Sequence, residues 1–281
     1  MTTAAPVLDL QGERTPIPRL VKDFWAHRDL LTMLARQDYR SRYRSASLGL
    51  VWAVTLPMLQ GLVIAVVFSQ LTGGGLTKLY IPYVVSGVTI YGYFSSSLTA
   101  ASTAIVDNAA IAGRLYFPRL VLPMIAPSAN LPGLAISTAL ALVLTLAVGG
   151  GPGWWVLLLP AAALLAWLLV VSAGALLSML HVYSRDVRYI VQAAMLVLFY
   201  GTPIIYFLEA ESGVRALPSN LVPFVLANPA TGVVQLNRLV VTGQAAHVGV
   251  AVAVTLGWVL VLTVLTLLSY SRRERVACDR L

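Results

Sequence analysis

Arg36, Arg40 and Arg44 recur at intervals of four, so a helix through them presents three guanidinium groups on one face, with Tyr39 and Tyr43 beside them. Leu20, Phe24, Leu31 and Leu34 supply apolar positions at helical spacing over the same stretch. A basic amphipathic helix bordered by aromatics suits an anionic membrane surface. A basic flank that only sets membrane topology accounts for the same arginines, and both readings stand at this level.

Other chemistry is missing. There is no G-x-x-x-x-G-K-[ST] loop, so the chain does not bind ATP through a P-loop. Gly73, Gly74 and Gly75 precede Lys78, but at the wrong spacing, and read as a linker. His27, His181 and His247 are far apart and form no H-E-x-x-H pattern, which argues against a zinc protease. A D-x-D site for a metal and a sugar nucleotide is also absent. Cys278 is the sole cysteine, so no intrachain disulfide can form.

Polar but uncharged side chains remain as material for a pathway. Tyr91, Tyr93, Phe94 and Ser95, Ser96 and Ser97 cluster in one apolar run; Tyr200, Thr202, Tyr206 and Phe207 lie in another; Trp52 stands in the first. Rings stack on the CH faces of sugars and hydroxyls exchange hydrogen bonds with them. The interfacial aromatic belt of membrane proteins explains Trp52, Tyr206 and Phe207 equally well. It explains Tyr91, Tyr93 and Phe94 less well, because they fall near the middle of their run.

These residues need long apolar elements to position them. Hydrophobic residues make up 58% of the 281, charged residues 11%, and the mean hydropathy is +0.82. Soluble domains carry roughly 25% charged residues, so this is the composition of a membrane protein. The formal charge of +8 sits between apolar runs, which argues against a nucleic-acid partner. The first apolar run follows a charged leader and starts too late for a signal peptide.

Apolar runs near 49–71, 81–106, 123–148, 154–180, 190–207 and 248–270 each approach the ~20 residues that span a bilayer as helix. The expected fold is therefore an all-α membrane protein with six transmembrane helices. Within these runs there is no Asp, Glu, Lys or Arg, which argues against proton-driven transport. Pro57, Pro123, Pro127, Pro132, Pro160 and Pro203 mark kinks, as packing irregularities or as hinges.

Arginines and lysines concentrate in the leader, at Arg114 and Arg119, at Arg185 and Arg188, and in the tail. Lys78, Arg215 and Arg238 fall on the other side. By the positive-inside rule both termini are cytoplasmic in a plasma (inner) membrane. The stretches 217–227 and 230–241, separated by Asn228 and Pro229, are too short to cross. They read either as two short re-entrant helices or as a hairpin lying flat on the outer surface. The expected organisation is a disordered tail over 1–19, a cytoplasmic amphipathic helix over 20–46, a membrane domain over 47–271 with the re-entrant pair at about 217–241, and a tail over 272–281.

The segment LARQDYRSRYRSASLG at 34–49, followed by Trp52 and Pro57, resembles the opening of ABC-2-type permeases that export polysaccharides and teichoic acids (polyol phosphates). YFPR at 116–119, YSRDVR at 183–188, TPIIY at 202–206 and Asn228-Pro229 resemble further motifs of that family, in the same order. The resemblance runs from about Asp23 to the carboxyl end.

It implies a homodimeric permease, not itself an enzyme, working with two copies of a nucleotide-binding ATPase subunit. ATP and Mg would be bound there, with no cofactor in this chain. It implies that a helix over 108–117 docks in the ATPase, with Asn108, Arg114, Tyr116, Phe117 and Arg119 at or beside the contact and Arg185, Asp186 and Arg188 flanking it. Ordinary positive-inside bias explains Arg114 and Arg119 as well. Arg36, Arg40, Arg42 and Arg44 would meet the phosphate head of a lipid-linked glycan or polyol-phosphate polymer, because guanidinium forks match phosphate oxygens. Trp52, Tyr91, Tyr93, Phe94, Tyr200 and Tyr206 would line the channel. An ABC-2 exporter of small drugs or lipids, a membrane enzyme acting on lipid-linked sugars and a passive channel are the competing functions.

Overall fold

A computed structural model describes residues 22, 25–44, 51–71, 79–109, 117–209 and 217–278. Among these the structure is all-α. The α-helices are α1 (Arg28–Arg44), α2 (Val51–Leu71), α3 (Tyr80–Asp107), α4 (Leu122–Ala147), α5 (Leu159–Tyr183), α6 (Val187–Gly201), α7 (Val222–Ala227), α8 (Pro229–Thr242) and α9 (Val248–Cys278). Short 3-10 turns, Arg119–Val121 and Gly153–Leu158, lead into α4 and α5. The expected tail over 1–19 lies outside the described residues.

The core forms around α3, which is buried along most of its length and packs on α2, α4, α5, α6 and α8. Small residues permit the closest approaches: a β-carbon added to Gly174 on α5 would stand 2.5 Å from the Ala101 side chain on α3. One apolar cluster runs through α3, α5, α8 and the neighbouring helices. A second closes the end near α1, where Ile105, Phe117, Val121, Leu122, Met179 and Tyr270 meet and Leu30 and Leu31 pack on them. That end is called the α1 end below, and the other the far end.

Length and composition reduce the expected spans. Among the described residues three helical stretches are long and apolar enough to cross a membrane: Arg119–Ala147, Gly153–Tyr183 and Val248–Ser271. Thr55–Gln70 and Val187–Gly201 are apolar but shorter. The stretch expected at 81–106 forms a 28-residue helix, but its serines, threonines and tyrosines lower its hydropathy.

The run expected at 190–207 stays helical only to Gly201, because Thr202 precedes a proline and adopts an extended ψ of 139°. Its 15 residues reach about 22 Å, short of the ~30 Å hydrocarbon thickness. Neither α7 nor α8 is long enough to cross. All of α8 from Ala230 to Thr242 is buried, so it does not lie flat on a surface.

Candidate functional site

At the α1 end, the arginines separate onto two faces. Arg36 and Arg40 lie about 40° apart around the helix. Both are exposed, and they line an open cleft of about 990 Å³ with Asp29, Thr32, Gln37 and Ser41. Arg42, about 200° from Arg40, turns toward the bundle. It forms an ion pair with Asp38 at 2.9 Å and donates to Asn130 Oδ1 of α4 at 3.4 Å. Asn130 in turn donates to Ser97 Oγ of α3 at 2.9 Å. Arg42, Asp38, Asp107 and Asn108 border a smaller cavity of about 290 Å³ where α1 meets the end of α3 and the start of α4. The side chains of Arg44 and Trp52 lie outside the described residues.

The residues expected to couple to a partner are also divided. Asn108 ends α3 and folds its side chain back to donate to the Ala104 carbonyl at 2.8 Å. Phe117 and Arg119 are buried, and Phe117 packs into the second apolar cluster, where it pins the start of α4. Arg185, Asp186 and Arg188 are exposed in the turn between α5 and α6, next to exposed Tyr189 and Ile190. The Asp186 backbone carbonyl accepts from the amides of Tyr189 and Ile190 and starts α6. Arg114 and Tyr116 lie outside the described residues.

The aromatic residues do not form one surface. Tyr91, Tyr93 and Phe94 are buried against neighbouring helices within the single chain. The Tyr91 hydroxyl donates to the Met195 carbonyl of α6, and that of Tyr93 to the Pro127 carbonyl of α4 at 3.0 Å. Tyr91 meets Phe199 edge-on at 5.3 Å. Tyr200, in contrast, is 66% exposed, on a face of α6 shared with Leu196 and Val197. Tyr206 is half-buried, and its backbone carbonyl accepts from the Tyr83 hydroxyl at 2.8 Å.

Sequence reasoning missed the most buried large side chain in the far half. Arg238, read from sequence as an outer-side charge, is 0% exposed within α8. Its guanidinium donates to Gln235 Oε1 at 2.5 Å and to the Pro203 carbonyl at 2.6 Å, and stacks over the Tyr83 ring at 3.4 Å. A signal was present in the spacing. Thr231, Gln235, Arg238 and Thr242 stand at i, i+4, i+7 and i+11, a polar stripe down one face of an otherwise apolar helix.

Together these features define a class: an all-α, multi-span membrane protein with a basic helix at one end and a buried polar brace at the other. The profile of the family described as "ABC-2 type transporter" matches residues 29–231, and the chain belongs to that family. The match bears out the resemblance carried by the motifs. Among curated proteins, the O-antigen export system permease protein RfbA of Myxococcus xanthus is 29% identical over 209 residues, covering 74% of this chain and 80% of that protein. Two proteins of the same name from Klebsiella pneumoniae are 28% and 24% identical over 181 residues, each covering 63% of this chain and 69% of the relative.

Proposed function

We propose that the chain is the permease subunit of an ATP-driven exporter that moves a lipid-linked polysaccharide from the cytoplasm outward. The observation that carries this is its similarity over 80% of the length of a relative named an O-antigen export permease, within a family match spanning 29–231. The energy source is a separate ATPase subunit in two copies, holding ATP and Mg, on a homodimer of this chain.

In this reading α2, α3 and α6 continued by the extended segment 202–207 complete six crossings, with both termini cytoplasmic. The α7–α8 pair is re-entrant from the outer face, and α1 lies at the inner membrane surface. The cleft at Arg36 and Arg40 receives the phosphate head of the substrate, supported by its open volume and paired cations. Arg42 belongs to that group through the cavity it borders, and Arg44 through its place on the α1 face in sequence. The exposed turn at Arg185, Asp186 and Arg188, with the segment 108–119, meets the ATPase.

The exposed face of α6 at Tyr200, together with Tyr206 and Trp52, lines the path. Tyr91, Tyr93 and Phe94 support that wall from behind, since the hydroxyls of Tyr91 and Tyr93 grip the backbones of α6 and α4.

Deleting the gene should strip a polysaccharide from the cell surface and leave its lipid-linked form inside. Unchanged surface glycan, with a small lipid or drug retained instead, would sink the polysaccharide assignment.

A further inference from the structure

The chain beyond α6 travels without helix through residues 202–207, directly after a helix too short to cross a bilayer. Non-helical backbone at that depth persists only where the protein itself satisfies its polar groups. Each buried carbonyl left unsatisfied costs about 1–3 kcal/mol.

From the last residue of α6 through this segment every carbonyl has a partner. Gly201 O accepts from Asn228 Nδ2 at 3.2 Å, and Thr202 O from the Ile204 amide at 2.7 Å. Pro203 O and Ile204 O both accept from one nitrogen of Arg238, at 2.6 and 3.4 Å. Ile205 O accepts from the Tyr80 hydroxyl and Tyr206 O from the Tyr83 hydroxyl, each at 2.8 Å. Phe207 O accepts from the Leu217 amide at 3.1 Å.

Arg238 is the centre of this set. It caps two carbonyls, lies across the Tyr83 ring, and is steadied by Gln235, whose amide donates to the Ala246 carbonyl at 2.8 Å. Room for it depends on Gly87 of α3, where a β-carbon would stand 3.3 Å from the guanidinium and 3.2 Å from Ile204. By contrast, α6 buries only Val191 and Met195 along its own length. The course of its far end is therefore set from outside the helix.

We propose that Arg238 is a positioning residue for transport: by capping the carbonyls of Pro203 and Ile204 it fixes the course of the chain beyond α6 and how the exposed Tyr200 face of α6 is presented. The link to transport rests on the export assignment; the clamp itself does not.

The test is hydrogen exchange on the purified, bilayer-reconstituted permease, alongside export by the complex. Arg238→Met should speed exchange across 202–207 by about tenfold or more while peptides of α4 and α5 stay near wild type. Arg238→Lys, which keeps one cationic donor, should fall between the two. Export by Arg238→Met should drop by about tenfold or more and be partly restored in Arg238→Lys.

Unchanged exchange in 202–207, or an equal rise throughout the core, overturns the clamp. Faster local exchange with undiminished export overturns the positioning role. If Arg238→Met fails to fold, Gln235→Ala and Tyr83→Phe carry the same test with smaller increases confined to 202–207, and an increase spread over the whole core overturns it. If the wild-type complex moves no glycan, the export assignment fails and the exchange result alone decides the clamp.

Discussion

Arg36 and Arg40 at the α1 end and Arg238 at the far end carry the same functional group under opposite conditions. The first two are exposed on an open cleft, with their guanidinium groups facing solvent. Arg238 is removed from solvent, its two terminal nitrogens donate to protein carbonyls and a side-chain amide, and its guanidinium lies over a ring. A buried cation is tolerated only when such partners replace its hydration. Under the proposed function the α1 end recruits substrate, whereas the far end holds backbone in place.

The comparison can be broken by mutation, and the far end should suffer most. Arg238→Ala strips two buried carbonyls of their donor and opens a cavity, so it should cost about 3–5 kcal/mol in detergent-solubilised thermal unfolding. Asn228→Ala should cost about 1–2 kcal/mol in the same assay. It removes the N-cap of α8, where the side chain accepts from the Ala230 amide, and the bonds to Gly201 and Thr202.

Arg42→Ala, which breaks a part-exposed pair with Asp38 and a long contact to Asn130, should cost no more than about 1 kcal/mol. The double change Arg36→Ala/Arg40→Ala should leave stability within about 0.5 kcal/mol. The same pair should weaken binding of a soluble peptide spanning 20–46 to anionic vesicles by about 1 kcal/mol per arginine, read by salt-dependent co-sedimentation. If the double change instead destabilised the protein as much as Arg238→Ala, the division between recruiting and holding arginines would be wrong.

Much of the fold was legible from local properties. The helices α2, α3 and α4 begin and end within two residues of the apolar runs that predicted them, because a long apolar segment in lipid has no backbone solution but helix. The end of α6 was less legible. Hydropathy continues to Phe207, whereas the helix stops at Gly201, since Pro203 acts on the geometry of Thr202 and not on average apolarity. Arg36, Arg40 and Arg42, grouped together in the sequence, separate onto two sides, because a helix distributes adjacent residues around its circumference and only the packing of α1 on α4 decides which side is covered.

Composition and order of motifs determined by themselves that this is a helical membrane protein of the ABC-2 type, since span length, charge placement and motif sequence are properties of the linear chain. Tertiary structure decided which polar groups are available. It buried Tyr91 and Tyr93 against the backbones of α6 and α4, left Tyr200 exposed, and drew Arg238 from an apparent surface charge into the brace beneath 202–207. The reason is that burial depends on neighbours more than thirty residues away in the chain, as with Arg238 and Pro203. No local spacing rule contains those neighbours.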